Sequence, residues 1–368
     1  RNAGYRTIHV GKAHFGAIGT ACADPRAMGF DVNIAGHAAG GPGSYLGTKN
    51  FGGLPDPQSV WAVPGLEKYH GKDIFLSEAL TIEALHQIDE AVKGDQPFFL
   101  YMSHYAVHVP FAKDERFFQK YVDAGLDPME AMYAALIEGM DDSLGKILDK
   151  LDATGVRDRT IVLFMSDNGG LSAHARGGTP HTHNRPLASG KGSAYEGGIR
   201  EPMIVSWPGV TSPGSRCDDP LIIEDFYPTI LGMAGIGCDA GELGYPVDGI
   251  SFEPMLRGVR MNQERPMYWH YPNEWGASGP GIGASSTIRR GDWKLIYFHA
   301  DQRYELYHIA EDIGEHRNLA SQRPELCAEL AAQLGAYLRS VDAQMPTIRA
   351  TGQLVPLPGE TVDGDEDG

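Results

Sequence analysis

Nowhere among the 368 residues do eighteen apolar ones run together, so the sequence contains no membrane-spanning helix. Cysteine is scarce: Cys22, Cys217, Cys238 and Cys327 are widely spaced and form neither C-x-x-C pairs nor a zinc pattern. One disulfide, Cys217 with Cys238, and buried free thiols stand as equal alternatives. Basic residues are few and never clustered. With 31 Lys and Arg against 48 Asp and Glu, the formal charge is -17, which excludes a nucleic-acid binder because phosphate contacts need massed cations. An anionic ligand would have to be met by a few local cations in an acidic field.

What is present is an ordinary globular composition, 42% hydrophobic and 21% charged, on a chain long enough for one large domain and a smaller one. Tyr5 to Val10 reads as a strand, and the Gly- and Pro-rich stretch from Gly36 to Gly65 as a long surface loop rather than packed structure. Apolar spacing predicts a helix over Ser77 to Lys93 with Ser77 as N-cap, and another over Met129 to Leu151. Phe98 to Ser103, Thr160 to Met165 and Met203 to Trp207 are apolar runs of strand length; alternating with helices, they predict a mostly parallel sheet flanked by helices. From about residue 247 the character changes. Met267 to Tyr271, Ser286 to Arg289, Trp293 to Phe298 and Tyr304 to His308 are short and turn-separated, as in an antiparallel sheet, and a helix over Glu325 to Val341 follows. The expected division is 1–246, 247–358 and an acidic, disordered tail over 359–368.

Ligands of open α/β sheets bind beyond the carboxyl ends of the strands, so the residues just after each strand are the candidates. Asp167 and Asn168 follow one strand and offer hard oxygen donors that suit Ca²⁺ or Mg²⁺ rather than zinc, although Asp-Asn-Gly-Gly is also a good turn. His104 and His108 follow another, and either could serve as a general acid. Lys12 and His14 lie on the first loop. Lys191 sits between Gly190 and Gly192, where an anion could approach its ammonium group and the adjacent N–H groups; an exposed loop lysine is the plainer reading of either one alone.

Together these pieces are more specific than any one of them. G-Y-R-T-I-H-V-G-K-A-H-F-G, from Gly4 to Gly16, resembles the sulfatase signature G-Y-x-T-x-x-x-G-K-x-H-x-G. H-Y-A-V-H-V-P-F, F-M-S-D-N-G-G, S-A-Y-E-G-G-I-R-E-P-M-I-V-S-W-P-G and R-R-G-D-W-K-L-I are similar to further segments of that family and stand in its order, over roughly Gly4 to Asn318. The resemblance to type I, formylglycine-dependent sulfatases implies an alkaline-phosphatase-like fold. It implies Ca²⁺, ahead of Mg²⁺, on Asp167 and Asn168, with Lys12 and Lys191 on sulfate oxygens. His14 would orient the nucleophile and take its proton, and His108, at the family's H-x-P position, would protonate the leaving oxygen.

The family's nucleophile arises from Cys or Ser in C/S-x-P-x-R, and no such pentapeptide exists here; the two Asp ligands of the family's first strand are also absent. In the family both precede G-Y-x-T, so the expectation is a chain cut upstream, inactive as it stands. The full protein would then need the formylglycine-generating enzyme and be periplasmic or secreted. The alternatives are a metal-dependent phosphodiesterase or phosphonate hydrolase of the same superfamily, and a non-catalytic sulfoglycan-binding protein. For the substrate, a sulfated mono- or oligosaccharide, the rim candidates are the loop Ala35 to Phe51, His174 and His181 within His174 to Arg185, and Trp269 within Trp269 to Trp275. The look is similar to bacterial sulfatases working on host or algal glycans, with a 4-sulfated galactose-type sugar as the expectation.

Overall fold

Alternating side chains in Arg-Thr-Ile-His-Val-Gly put Ile8 and Val10 on one face of β1 (Arg6–Gly11) and Thr7 and His9 on the other. The computed structural model describes residues 1–171, 184–237, 246–261, 264–274 and 279–360, and divides into two units, Arg1–Thr160 and Ile161–Gly368. The boundary drawn from sequence near residue 246 falls inside the second.

In the first unit β1 is central, paired in parallel with β2 (Val32–Ile34) and with β3 (Phe98–Ser103). Helix α1 (Leu76–Lys93) packs on β1 and β3. After α2 (Phe118–Asp123), α3 (Pro128–Ala153) lies against α1. Leu80, Ala84 and Leu136 meet Ile8 and Val10 in the core. Two sequence expectations need correction. Ser77 is not the N-cap of α1; Phe75 is, and Ser77 is buried in the first turn, where its carbonyl accepts the Thr81 hydroxyl at 2.6 Å. The stretch from Gly36 to Gly65 is not simply a surface loop, because Tyr45, Phe51 and Val63 are buried in the same core. The aromatic anchors outweigh the Gly and Pro around them.

The second unit begins with β4 (Val162–Met165), followed by the short helix α4 (Glu196–Ile199) and β5 (Met203–Ser206). β5 pairs with β4 antiparallel, so this third apolar strand departs from the parallel pattern. After α5 (Phe226–Met233) and α6 (Glu253–Leu256) comes the expected antiparallel sheet, β6 (Met267–Tyr271), β7 (Ser285–Arg290), β8 (Trp293–Phe298) and β9 (Arg303–His308), joined in that order. Ile288, Leu295 and Leu306 face α7 (Pro324–Ser340) through Leu330, Leu334 and Leu338. The opposite face carries Arg289, Lys294, Ile296 and Tyr307, and Ile296 and Tyr307 pack with Ala194 and Tyr195. Cys22, Cys217 and Cys327 are free thiols, while Cys238 and the tail from 361 lie outside the described residues. Among the described residues no helix is long and apolar enough to cross a membrane.

Candidate active site

β1 and β3 run parallel in register from Arg6 opposite Phe98 to Gly11 opposite Ser103, so the loops that follow them leave from the same end. There the Lys12 N–H donates to the Ser103 carbonyl at 2.7 Å, and the Ser103 hydroxyl donates to the Lys12 carbonyl at 2.6 Å. His9, fully buried, supports the same carbonyl with Nε2 at 3.2 Å, while its Nδ1 is 3.1 Å from Asn33 Oδ1. That amide is oriented by Gly36, whose N–H its Oδ1 accepts and to whose carbonyl its Nδ2 donates, so Oδ1 faces the ring as an acceptor; the Lys12 carbonyl is an acceptor too, and a neutral His9 donates to only one of the two. Burial, partly offset by these bonds, pulls the His9 ring below the ordinary imidazole range.

The two candidate catalytic histidines of this unit lie against neighbouring glycines. A Cβ on Gly40 would stand 2.7 Å from the nearest atom of the His14 ring, and one on Gly41 2.7 Å from the nearest atom of the His108 ring. Adjacent glycines thus give both imidazoles room on one loop, an explanation of the Gly-Gly pair that composition alone could not supply. The backbone of His14 is held by the His37 carbonyl at 2.9 Å. His108 Nδ1 is 2.7 Å from the Val109 carbonyl, which can only accept, so Nδ1 carries a proton and exchange with a substrate falls to Nε2. The loop is fixed from behind by the buried Tyr45 hydroxyl, which reaches the carbonyls of Tyr105 and His108 at 2.7 and 2.8 Å.

His104 is a different kind of residue. Its Nε2 bonds Ser143 Oγ at 3.0 Å, Ser143 meets Thr81 at 2.7 Å, and the chain ends on the Ser77 carbonyl. Burial drives its pKa down to about 4. It ties β3 to α1 and α3. Sequence reasoning missed His37, half-buried, whose Nε2 has no hydrogen-bond partner among the described residues and whose basicity is lowered by burial and then by His14. A lone loop histidine gives no signal of this.

In the second unit Asp167 and Asn168 follow β4. Asn168 Nδ2 donates to the Gly169 carbonyl at 3.0 Å, which leaves Oδ1 as the oxygen available to a cation. Glu201 lies near enough to Asp167 that burial and then that charge raise its pKa to about 7, and its Oε1 is buried with no hydrogen-bond partner. The oxygen chemistry suits Ca²⁺, but the count does not make a full coordination shell: among the described residues no three His, Cys, Asp or Glu side chains gather around a point. Lys191 belongs to this turn, its N–H donating to the Gly170 carbonyl at 3.1 Å, and Asn184 bonds the same carbonyl at 2.9 Å. Trp269 is half-buried on the edge strand β6, on the sheet face shared with Ile296. His174 and His181 lie outside the described residues.

The family model described as Sulfatase matches residues 1–236, well over half the chain. The chain belongs to the sulfatase family. A second model, N-sulphoglucosamine sulphohydrolase, C-terminal, matches residues 190–344, from Lys191 through the four-stranded sheet and α7. The chain is 31% identical to a sulfatase of Formosa agariphila over 307 residues, covering 78% of this chain and 52% of that one. It is 27% identical to the uncharacterized sulfatase YdeN of Escherichia coli over 413 residues, covering 96% and 67%. The crystal structure of Ps i-CgsB in complex with k-i-k-neocarrahexaose superposes with a TM-score of 0.74 at 26% identity, over 93% of this chain and 73% of that one. The fold is thus the alkaline-phosphatase-like one of sulfatases, and the chain spans about half the length of the Formosa sulfatase.

Proposed function

We propose that the protein is a type I sulfatase that removes sulfate from a sulfated carbohydrate, with Lys12, His14, His108, Asp167, Asn168 and Lys191 all serving one reaction. The observation that carries this reading is that each unit gathers its own share of the family's groups: His14 and His108 sit against the Gly40–Gly41 step, and Lys191 is bonded to the turn that follows Asp167 and Asn168. The relation to a protein seen with k-i-k-neocarrahexaose supports a carbohydrate substrate, and a 4-sulfated galactose-type sugar is the first to test.

Displacement at sulfur leaves charge on the sulfate oxygens and on the departing alkoxide, so fixed cations and a positioned acid are what the reaction needs. Lys12 and Lys191 hold the sulfate oxygens. His14 orients the attacking group and accepts its proton, and His108 Nε2 protonates the departing sugar oxygen. A formylglycine upstream, made by the formylglycine-generating enzyme, would supply the nucleophile in an exported protein. Ca²⁺ held by Asp167 and Asn168, with Glu201 beside them, would polarise the sulfate.

The leaving group provides the test. In an active protein that carries this chain together with a C/S-x-P-x-R segment, His108→Ala should slow release from a sulfated sugar by about 10² or more and spare an activated aryl sulfate, since an acid helps most when the departing oxygen is basic. Equal losses on both substrates would contradict the acid role.

A further inference from the structure

Deep in the second unit, a charged cluster stands against the segment that carries Lys191. Lys294, on β8, is fully buried, with Nζ 3.0 Å from Glu196 Oε1 and 2.9 Å from Glu315 Oε1, the latter off the hydrogen-bonding direction. Glu315 Oε2 accepts the Glu196 backbone N–H at 2.6 Å, and Arg200 and Arg289 each reach Glu196 Oε2 at 3.5 Å. Burial opposes the charge on Glu196, but Lys294 and Arg289 hold it below the usual carboxylate range; burial leaves Glu315 above that range despite Lys294. Bringing these charges out of water is costly, and Glu196 forms only the first residue of a four-residue helix.

The next two residues show what the cluster holds. A Cβ on Gly197 would lie 2.1 Å from the Ala188 carbonyl oxygen, and one on Gly198 would lie 2.2 and 2.7 Å from those of Ser193 and Gly190. The loop around Lys191 is therefore seated directly on the Gly197–Gly198 backbone. Gly197 N–H bonds the Ala188 carbonyl at 2.9 Å, and on the other side Gly169 N–H bonds the Gly198 carbonyl at 3.1 Å. The glycine pair is a spacer between the Lys191 loop and the turn after Asp167, and the buried charges fix where it stands.

We propose that Lys294, with Glu196 and Glu315, is a positioning residue: it clamps α4 so that Lys191 is held in place to bind sulfate. This rests on the reading of Lys191 as a sulfate ligand, and the experiment separates the two. Michaelis constants for p-nitrophenyl sulfate are measured in the full-length active protein for Lys191→Ala, Lys294→Met and the double variant, at a temperature where circular dichroism shows each folded. Lys294→Met is expected to raise KM about tenfold with a smaller change in kcat, Lys294→Arg to recover part of the loss, and the double variant to lie close to Lys191→Ala alone, as two residues acting through one interaction do. Should Lys294→Met not fold, Glu315→Gln, which keeps the shape and removes one charge, takes its place. Multiplying losses in the double variant, or an unchanged KM for the clamp variant while Lys191→Ala raises it, would overturn the clamp. An unchanged KM for Lys191→Ala itself would instead overturn the sulfate role of Lys191.

Discussion

Burial holds His104 down from 6.5 to about 4, so in the folded protein the ring stays neutral where an unfolded chain would take up a proton. Between those values the unfolded state binds more protons, and the stability contributed by the neutral ring, complete above pH 6.5, is lost as pH falls toward 4. Urea unfolding from pH 7 to pH 4 should show this loss, and His104→Gln should flatten it by on the order of 3 kcal/mol. An unchanged slope would mean that His104 is not buried neutral. In the sequence only the family's H-x-P position favoured His108 over His104, four residues away on the same loop. The physical difference lies in the Ser143–Thr81 chain behind one ring and the glycine beside the other, and both depend on partners distant in sequence. Lys12 and His14 were legible because they stand in a short, spaced motif. His9 and His37, which hold the backbone of that motif, were not, since nothing in their local sequence marks what they touch.

At the scale of the element, the strands and long helices were readable because period and length decide them: β3, β6 and β8 have the limits that the apolar runs predict. Pairing was less legible, since an apolar run does not state its direction, and β5 proved antiparallel to β4. Helix starts depended on capping chemistry. For α3, which the apolar spacing began at Met129, the cap is Asp127 ahead of Pro128, with Asp127 Oδ1 accepting the N–H groups of Met129 at 2.9 Å and Glu130 at 3.2 Å. Asp127→Ala should cost about 1 kcal/mol in urea unfolding. A loss within error would show that α3 is held by its packing on α1 alone. The glycine-rich stretch after Gly36 was misread because composition reports flexibility, whereas Tyr45 and Phe51, spaced irregularly within it, report burial.

For the whole molecule, a chain of formal charge -17 that binds sulfate as proposed would do so through a few cations held by rigid backbone, and each unit offers a candidate after a strand: Lys12 after β1, and Lys191 on the loop bonded to the turn after β4. The chain also covers about half of its Formosa relative, and its sequence contains no C/S-x-P-x-R pentapeptide. Under the proposed reading this chain supplies the sulfate-binding and proton-transfer groups, and a formylglycine from a C/S-x-P-x-R segment would supply the nucleophile. The direct measurement is sulfate release from a panel of regiochemically defined sulfated monosaccharides, comparing this chain with a version extended upstream through C/S-x-P-x-R and made alongside the formylglycine-generating enzyme. The account predicts metal-dependent release, selective for one sulfate position, from the extended protein and none from the chain alone. Comparable release from both would place the nucleophile within these residues and contradict the assignment of the site.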